Sequence, residues 1–129
     1  MHIAHASQHD DSHHGSTRLH LNISDTVNIM TWAESRENGF SGCALWHIFP
    51  RRNTPIIRKF LARVQKSADT VDPIQSEQCY LAPIMLDALR EQYCIDPVII
   101  YQRPGDAVFI PARCPYQVRI PLPIYLPLT

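Results

Sequence analysis

The stretch Arg18 to Met30, RLHLNISDTVNIM, decides how the chain is read. LHLNI and the TVNIMTWA that follows are short, rich in β-branched residues and half alternating, which predicts two strands. The first carries a single histidine, His20, with Asn22 two residues on. A His-x-Asp pair on a strand is a common way to ligate iron. Here an amide stands where the carboxylate would be, and it is neutral and a poorer donor to a metal. Whether the chain is an enzyme turns on that position.

Outward from this segment, CALWHIF follows the Glu37-Asn38-Gly39 turn region and reads as a third strand, so three strands precede any helix. Thr54 is expected as an N-cap with Pro55 at the first helical position, and Ile56, Ile57, Phe60, Leu61 and Val64 repeat at helical spacing. This helix should run to about Lys66. Asp72-Pro73 interrupts the chain, and a second helix is expected from about Pro83 to Tyr93, with Met85, Leu89 and Tyr93 inward and Pro97 forbidding its continuation. The last third returns to strands: PVIIYQR, then a PGD turn in which Gly105 can supply positive φ, then AVFIP and YQVRI. Strands, a helical excursion and strands again predict a mainly β sandwich or barrel with two inserted α-helices, as in cupin-like double-stranded β-helices of the jelly-roll type.

A chain of 129 residues, 45% hydrophobic, with 12 basic and 12 acidic side chains, has the size and balance of one soluble domain. The zero net charge gives no direct nucleic-acid signal. No apolar run is long enough to span a membrane, and the N-terminus lacks the apolar core of a signal peptide, so the chain reads as intracellular. Cys43, Cys79, Cys94 and Cys114 form no Cys-x-x-Cys pair and are expected to be buried thiols. Residues 1–16 hold His2, His5, His9, His13 and His14 among polar residues, and are expected to be a flexible His-rich tail.

Three colinear blocks carry a resemblance. GSTRLHLNISDTVNIM, GCALWHIF and QRPGDAVFIPARCPYQV resemble, in order and spacing, the metal-binding strand, the Gly-(Cys)-Ala-x-Trp-x-Ile-Phe strand and the Gly-Asp-Ala-x-x-x-Pro-Ala-Gly-x-x-His-Gln-Val ending of the JmjC domain. The likeness is greatest to the histone H3 lysine-9 demethylase branch and its fungal members, and DPIQSEQCYL is similar to the linker before that branch's second helix. On this resemblance residues 17–129 form a JmjC-like domain.

The resemblance implies oxidative demethylation by Fe(II), dioxygen and 2-oxoglutarate, with iron held by two imidazoles and one carboxylate that leave three positions open. Position by position, His20 matches the first metal ligand. Asn22 falls on the carboxylate and Tyr116 on the second histidine, so two of three ligands are replaced. Thr17 and Asn28 fall where relatives bind 2-oxoglutarate, and Cys43 falls about where other JmjC groups carry lysine. Asp25 and Asp106 are expected in turn chemistry and backbone capping, Trp32 and Trp46 in packing, and His47 as a half-buried strand residue.

The expected function is a catalytically impaired, demethylase-related domain with a chromatin or transcription-regulatory role in the nucleus, its partner a histone tail or chromatin-associated protein. The alternatives are an active dioxygenase that recruits His47 or a tail histidine as substitute ligand, and a nonfunctional gene fragment. Pro121, Pro123 and Pro127 in the ending IPLPIYLPLT cannot donate to a central ladder, and nothing before Arg18 reads as an opening strand. The domain is therefore expected to be truncated at both ends, with open strand edges that invite self-association.

Overall fold

The computed structural model describes residues 17–31, 42–65, 72–77 and 79–120. The His-rich tail, Trp32 and the proline-rich stretch 121–129 lie outside the described residues.

Six short strands surround two helices in sequence: β1 (Thr17–His20), β2 (Thr26–Ile29), β3 (Ala44–Ile48), α1 (Thr54–Gln65), α2 (Pro83–Tyr93), β4 (Val98–Gln102), β5 (Ala107–Ile110) and β6 (Tyr116–Arg119). One sheet has the order β1-β6-β3-β4 and the other is β2-β5, with all pairs antiparallel. The last strand thus lies between the first and the third. This mainly β arrangement with two helices is that of a partial jelly-roll, cupin-like fold.

β3 is buried at every residue because both its faces are covered. On the inner face, Ala44, Trp46, Ile48 and Val118 pack against Val108 and Ile110 of β5. On the outer side of the larger sheet, Leu19 and Phe49 join Ile57, Phe60 and Leu61 of α1 and Leu89 of α2 in a second core. Taking each such Leu, Ile or Phe out of water contributes about 1.5–3 kcal/mol, so the helices are held chiefly by this layer. A two-bond clamp adds to it: Leu81 N–H donates to Gln117 Oε1 at 2.7 Å, and Gln117 Nε2 donates to Leu81 O at 3.0 Å.

The helix readings need two corrections. A 3-10 turn over Arg51–Asn53 precedes α1, with Pro50 as its N-cap, so Thr54 is already helical and its buried hydroxyl has no hydrogen-bond partner. The apolar stripe of α1 is also narrower than expected: Ile57, Phe60 and Leu61 are buried, whereas Ile56 and Val64 are exposed. α2 ends with Cys94 in the left-handed region at φ 55°, where Cys94 N–H donates to Arg90 O and Ile95 N–H to Leu89 O. The bond from Cys94 to Arg90 makes this an αL cap, and Ile95 and Leu89 beside it share the same core.

Two turns set the inner layer. Arg103 to Asp106 forms a type II turn, with Gly105 at φ 93° and Asp106 N–H donating to Arg103 O at 2.9 Å. Gly105 N–H also donates to Met30 O at 2.7 Å, tying this turn to the end of β2. Before β6, Arg113 stands at φ 62° and donates its N–H to Asn22 O at 2.6 Å. Asp25 Oδ1 accepts the Ala112 N–H at 2.7 Å, and Asp106 Oδ2 accepts the Arg103 N–H at 2.9 Å.

Candidate functional site

The backbone brings His20, Asn22 and Tyr116 together. Between the partner pairs Thr17↔Val118 and His20↔Tyr116, β1 advances three residues while β6 advances two, so β1 carries a bulge. Leu19 N–H leaves the ladder to donate to Cys79 O at 2.8 Å, and its side chain enters the helix-side core. His20 takes the other face, directly across from Tyr116, whose ring stacks on Trp46 with centroids 5.6 Å apart.

Asn22 is the hub of the cluster. Its Oδ1 accepts from His20 Nε2 at 2.7 Å, and its Nδ2 donates to Thr26 Oγ1 at 3.1 Å and to Tyr116 Oη at 3.2 Å. The amide oxygen and both amide hydrogens are therefore engaged. A carboxylate could replace only the acceptor, because it has no hydrogen to donate when ionised. Asn22 and Tyr116 are thus chemically matched: the phenol oxygen takes a donor, and the amide supplies one.

His20 is held from its other side by Glu77, whose Oε1 lies 2.7 Å from Nδ1. The contact lacks the alignment of a hydrogen bond and is an ion pair only when the ring is protonated, and Glu77 is largely exposed. Burial pushes the Tyr116 phenol above its ordinary range, the Asn22 hydrogen bond lowers it in part, and the charge of Glu77 raises it further.

These donors do not fit a ferrous ion. The set offers one imidazole, one neutral amide whose oxygen is already engaged by His20, and one phenol, with no carboxylate on the Nε2 side of the ring. Tyr116 is held as a neutral phenol, a weak donor to a ferrous ion. Among the described residues no three His, Cys, Asp or Glu side chains are grouped so as to hold a metal ion.

Thr17 and Asn28, the positions expected at a co-substrate, lie in the two different sheets, Thr17 at the start of β1 in the larger and Asn28 in β2 of the smaller. Asn28 serves a polar junction inside the sandwich: Trp46 Nε1–H donates to Gln102 Oε1 at 2.9 Å, and Gln102 Nε2 donates to Asn28 Oδ1 at 3.1 Å and Asn28 O at 3.0 Å. Cys43 is buried at the start of β3. His47 is buried on the face of β3 opposite Trp46, where its Nδ1 lies 3.4 Å from Gln117 Nε2, so it cannot turn toward His20 as a substitute ligand. Burial, then the charge of Arg119, lowers the His47 pKa.

Sequence reading missed Glu77, Thr26 and Gln102. Thr26 lies in the quoted segment, where a hydroxyl four residues after Asn22 was a legible signal. Glu77 and Gln102 reach the site through tertiary approach, for which the sequence has no local pattern.

The chain is 34% identical over 140 positions to lysine-specific demethylase 3 of Drosophila melanogaster, a match covering 81% of the chain and 16% of that protein. It is 37% identical over 94 positions to lysine-specific demethylase JMJ29 of Arabidopsis thaliana, covering 66% of the chain and 11% of the relative. It is 30% identical over 142 positions to human lysine-specific demethylase 3A, covering 84% and 11%. The chain thus spans about one-sixth or less of the length of these relatives. No protein-family model matches it.

Proposed function

From its homology to a segment of the lysine-specific demethylases, we propose that residues 17–129 are a JmjC-type domain of the histone H3 lysine-9 branch that has exchanged iron chemistry for a structural role at the same place. It acts in the nucleus as a chromatin or transcription-regulatory domain, and its partner is a histone tail or a chromatin-associated protein. Fe(II) and 2-oxoglutarate belong to the ancestry of the fold. In this chain no catalytic step runs through them.

One observation carries the reading. Asn22 spends its oxygen on His20 Nε2 and a hydrogen on Tyr116 Oη, so the two departures from the ligand set satisfy one another across the sheet. Two independent losses in a metal site would leave polar groups stranded at about 1–3 kcal/mol each. A mutually bonded pair supports a settled alternative use of the position.

The test is anaerobic calorimetric titration of the full chain with Fe(II), with and without 2-oxoglutarate. No saturable binding is expected at micromolar metal. Micromolar binding that disappears in His20→Ala would overturn the proposal and favour a working dioxygenase.

A further inference from the structure

The zero net charge of the chain hides a segregated surface. The 3-10 turn and α1, residues 51–65, carry Arg51, Arg52, Arg58, Lys59 and Arg63 and no acidic side chain. Arg58 is held by Asp72 at 3.0 Å. The other four are exposed and have no ion-pair partner among the described residues.

We infer that this basic edge docks on the phosphate backbone of duplex DNA, without reading base sequence. The inference is independent of the demethylase relationship. Lys59 and Arg63 are four residues apart, so they project from one face of α1, away from the Ile57, Phe60 and Leu61 stripe that faces the core. Arg51 and Arg52, in the turn before the helix, add two more exposed cations at its N-terminal end. At about 1.5 Å per helical residue and 2 Å per 3-10 residue, the stretch from Arg51 to Arg63 is about 20 Å long. A duplex presents about one phosphate charge per 1.7 Å of axis, so each cation along that length has an anion to meet.

The electrostatics at the N-terminal end add to this. Most helices place acids in the first turn against the positive end of the dipole, whereas α1 has none there and is preceded by two arginines. The positive potential there stands undiluted.

The character of the edge favours DNA over other anions. A protein partner would need a large apolar or aromatic anchor at the centre of the contact, and beside Lys59 and Arg63 the face offers Ala62 and a single Ile56 that is about one-third exposed. An anionic membrane would require a broad apolar face turned to lipid, and α1 spends Ile57, Phe60 and Leu61 on the core, leaving Ile56 and Val64 exposed eight positions apart. The major groove of B-form DNA, about 12 Å wide, accepts the edge of a helix, whereas the deep, narrow groove of A-form RNA does not.

The test is fluorescence anisotropy of a labelled DNA duplex of about 20 base pairs titrated with the full chain at several salt concentrations. Four phosphate contacts predict a slope of about −3.6 in log affinity against log salt, hence roughly a 150-fold loss between about 50 and 200 mM. The combined variant Arg51→Gln, Arg52→Gln, Lys59→Gln, Arg63→Gln should flatten most of that slope, with its thermal melt unchanged because all four side chains are exposed. Arg103→Gln, a cation elsewhere on the surface, should bind like the parent. The inference is overturned by a parent slope near zero or by a folded combined variant that binds as the parent does. It is equally overturned by tighter binding of duplex RNA, polyglutamate or anionic vesicles. A combined variant that fails to fold is replaced by the Lys59→Gln, Arg63→Gln pair, for which half the slope should remain.

Discussion

The His20 ring meets the Tyr116 ring edge-on across the β1–β6 ladder, with centroids 5.9 Å apart and planes at 80°. The two residues are also direct register partners, so what stands at 116 is delivered to His20 by the backbone. On the proposed reading, this register is the one that would set two metal ligands opposite each other.

Restoring the chemistry should therefore restore binding. Asn22→Asp with Tyr116→His returns a carboxylate and a second imidazole opposite His20, and the double variant should bind Co(II) at least about 100-fold more tightly than the parent. The ligand-field absorption of the metal reads this directly. Asn22→Asp alone should show no such gain, because Tyr116 still occupies the third position.

In the chain as it stands, the cluster contributes stability. Asn22→Leu strands His20 Nε2, Thr26 Oγ1 and Tyr116 Oη in a half-buried place, and should destabilise by about 1–3 kcal/mol in denaturant unfolding. A Tyr116→Phe variant should cost less, about 1 kcal/mol, since it removes one acceptor and leaves the His20 bond in place. Equal stability of the Asn22→Leu variant and the parent would remove the structural role.

His47 makes stability depend on pH. Its folded pKa is lowered, by burial first and then by Arg119. Below its ordinary value of about 6.5 the unfolded chain takes up a proton that the folded chain refuses, so stability is full above that value and falls as pH drops beneath it. The loss levels off once the native ring itself protonates. Melts at descending pH should show this slope in the parent, and His47→Gln should reduce it.

Much of the fold was legible because its signals are local. The β-rich runs around Leu19, Trp46 and Val108, and the PGD turn with Gly105, predict strands and a turn that the structure contains. Thr54 was misread because a local pattern of Thr before Pro resembles a cap, while the 3-10 turn beginning at Arg51 starts the coil earlier. At the site, His20 was legible from the quoted segment alone. The Asn22–Tyr116 bond spans 94 positions and the Trp46–Gln102 bond 56, distances over which pairing is decided by the sheets.

Left-handed positions offer a stability test with opposite signs. Arg113 stands at φ 62° where the resembling motif has glycine, so Arg113→Gly should stabilise by about 0.5–1 kcal/mol, provided that its N–H keeps its bond to Asn22 O. Gly105, at φ 93°, has nothing within 4 Å of an added Cβ, yet Gly105→Ala should destabilise by about 1 kcal/mol from backbone strain alone. Chemical denaturation of the two variants checks the signs.

The Gln117 amide gives the two ends of its clamp unequal freedom to mutate. It reads residue 81 through the peptide group, so another apolar side chain can stand in for Leu81 with both bonds kept. Position 117 has no such latitude: Gln117→Glu forfeits the donor, Gln117→Leu forfeits both partners, and neither loss can be repaired from the helical side. An exchange at this single strand position would loosen the whole covering layer, although it alters no residue of either helix.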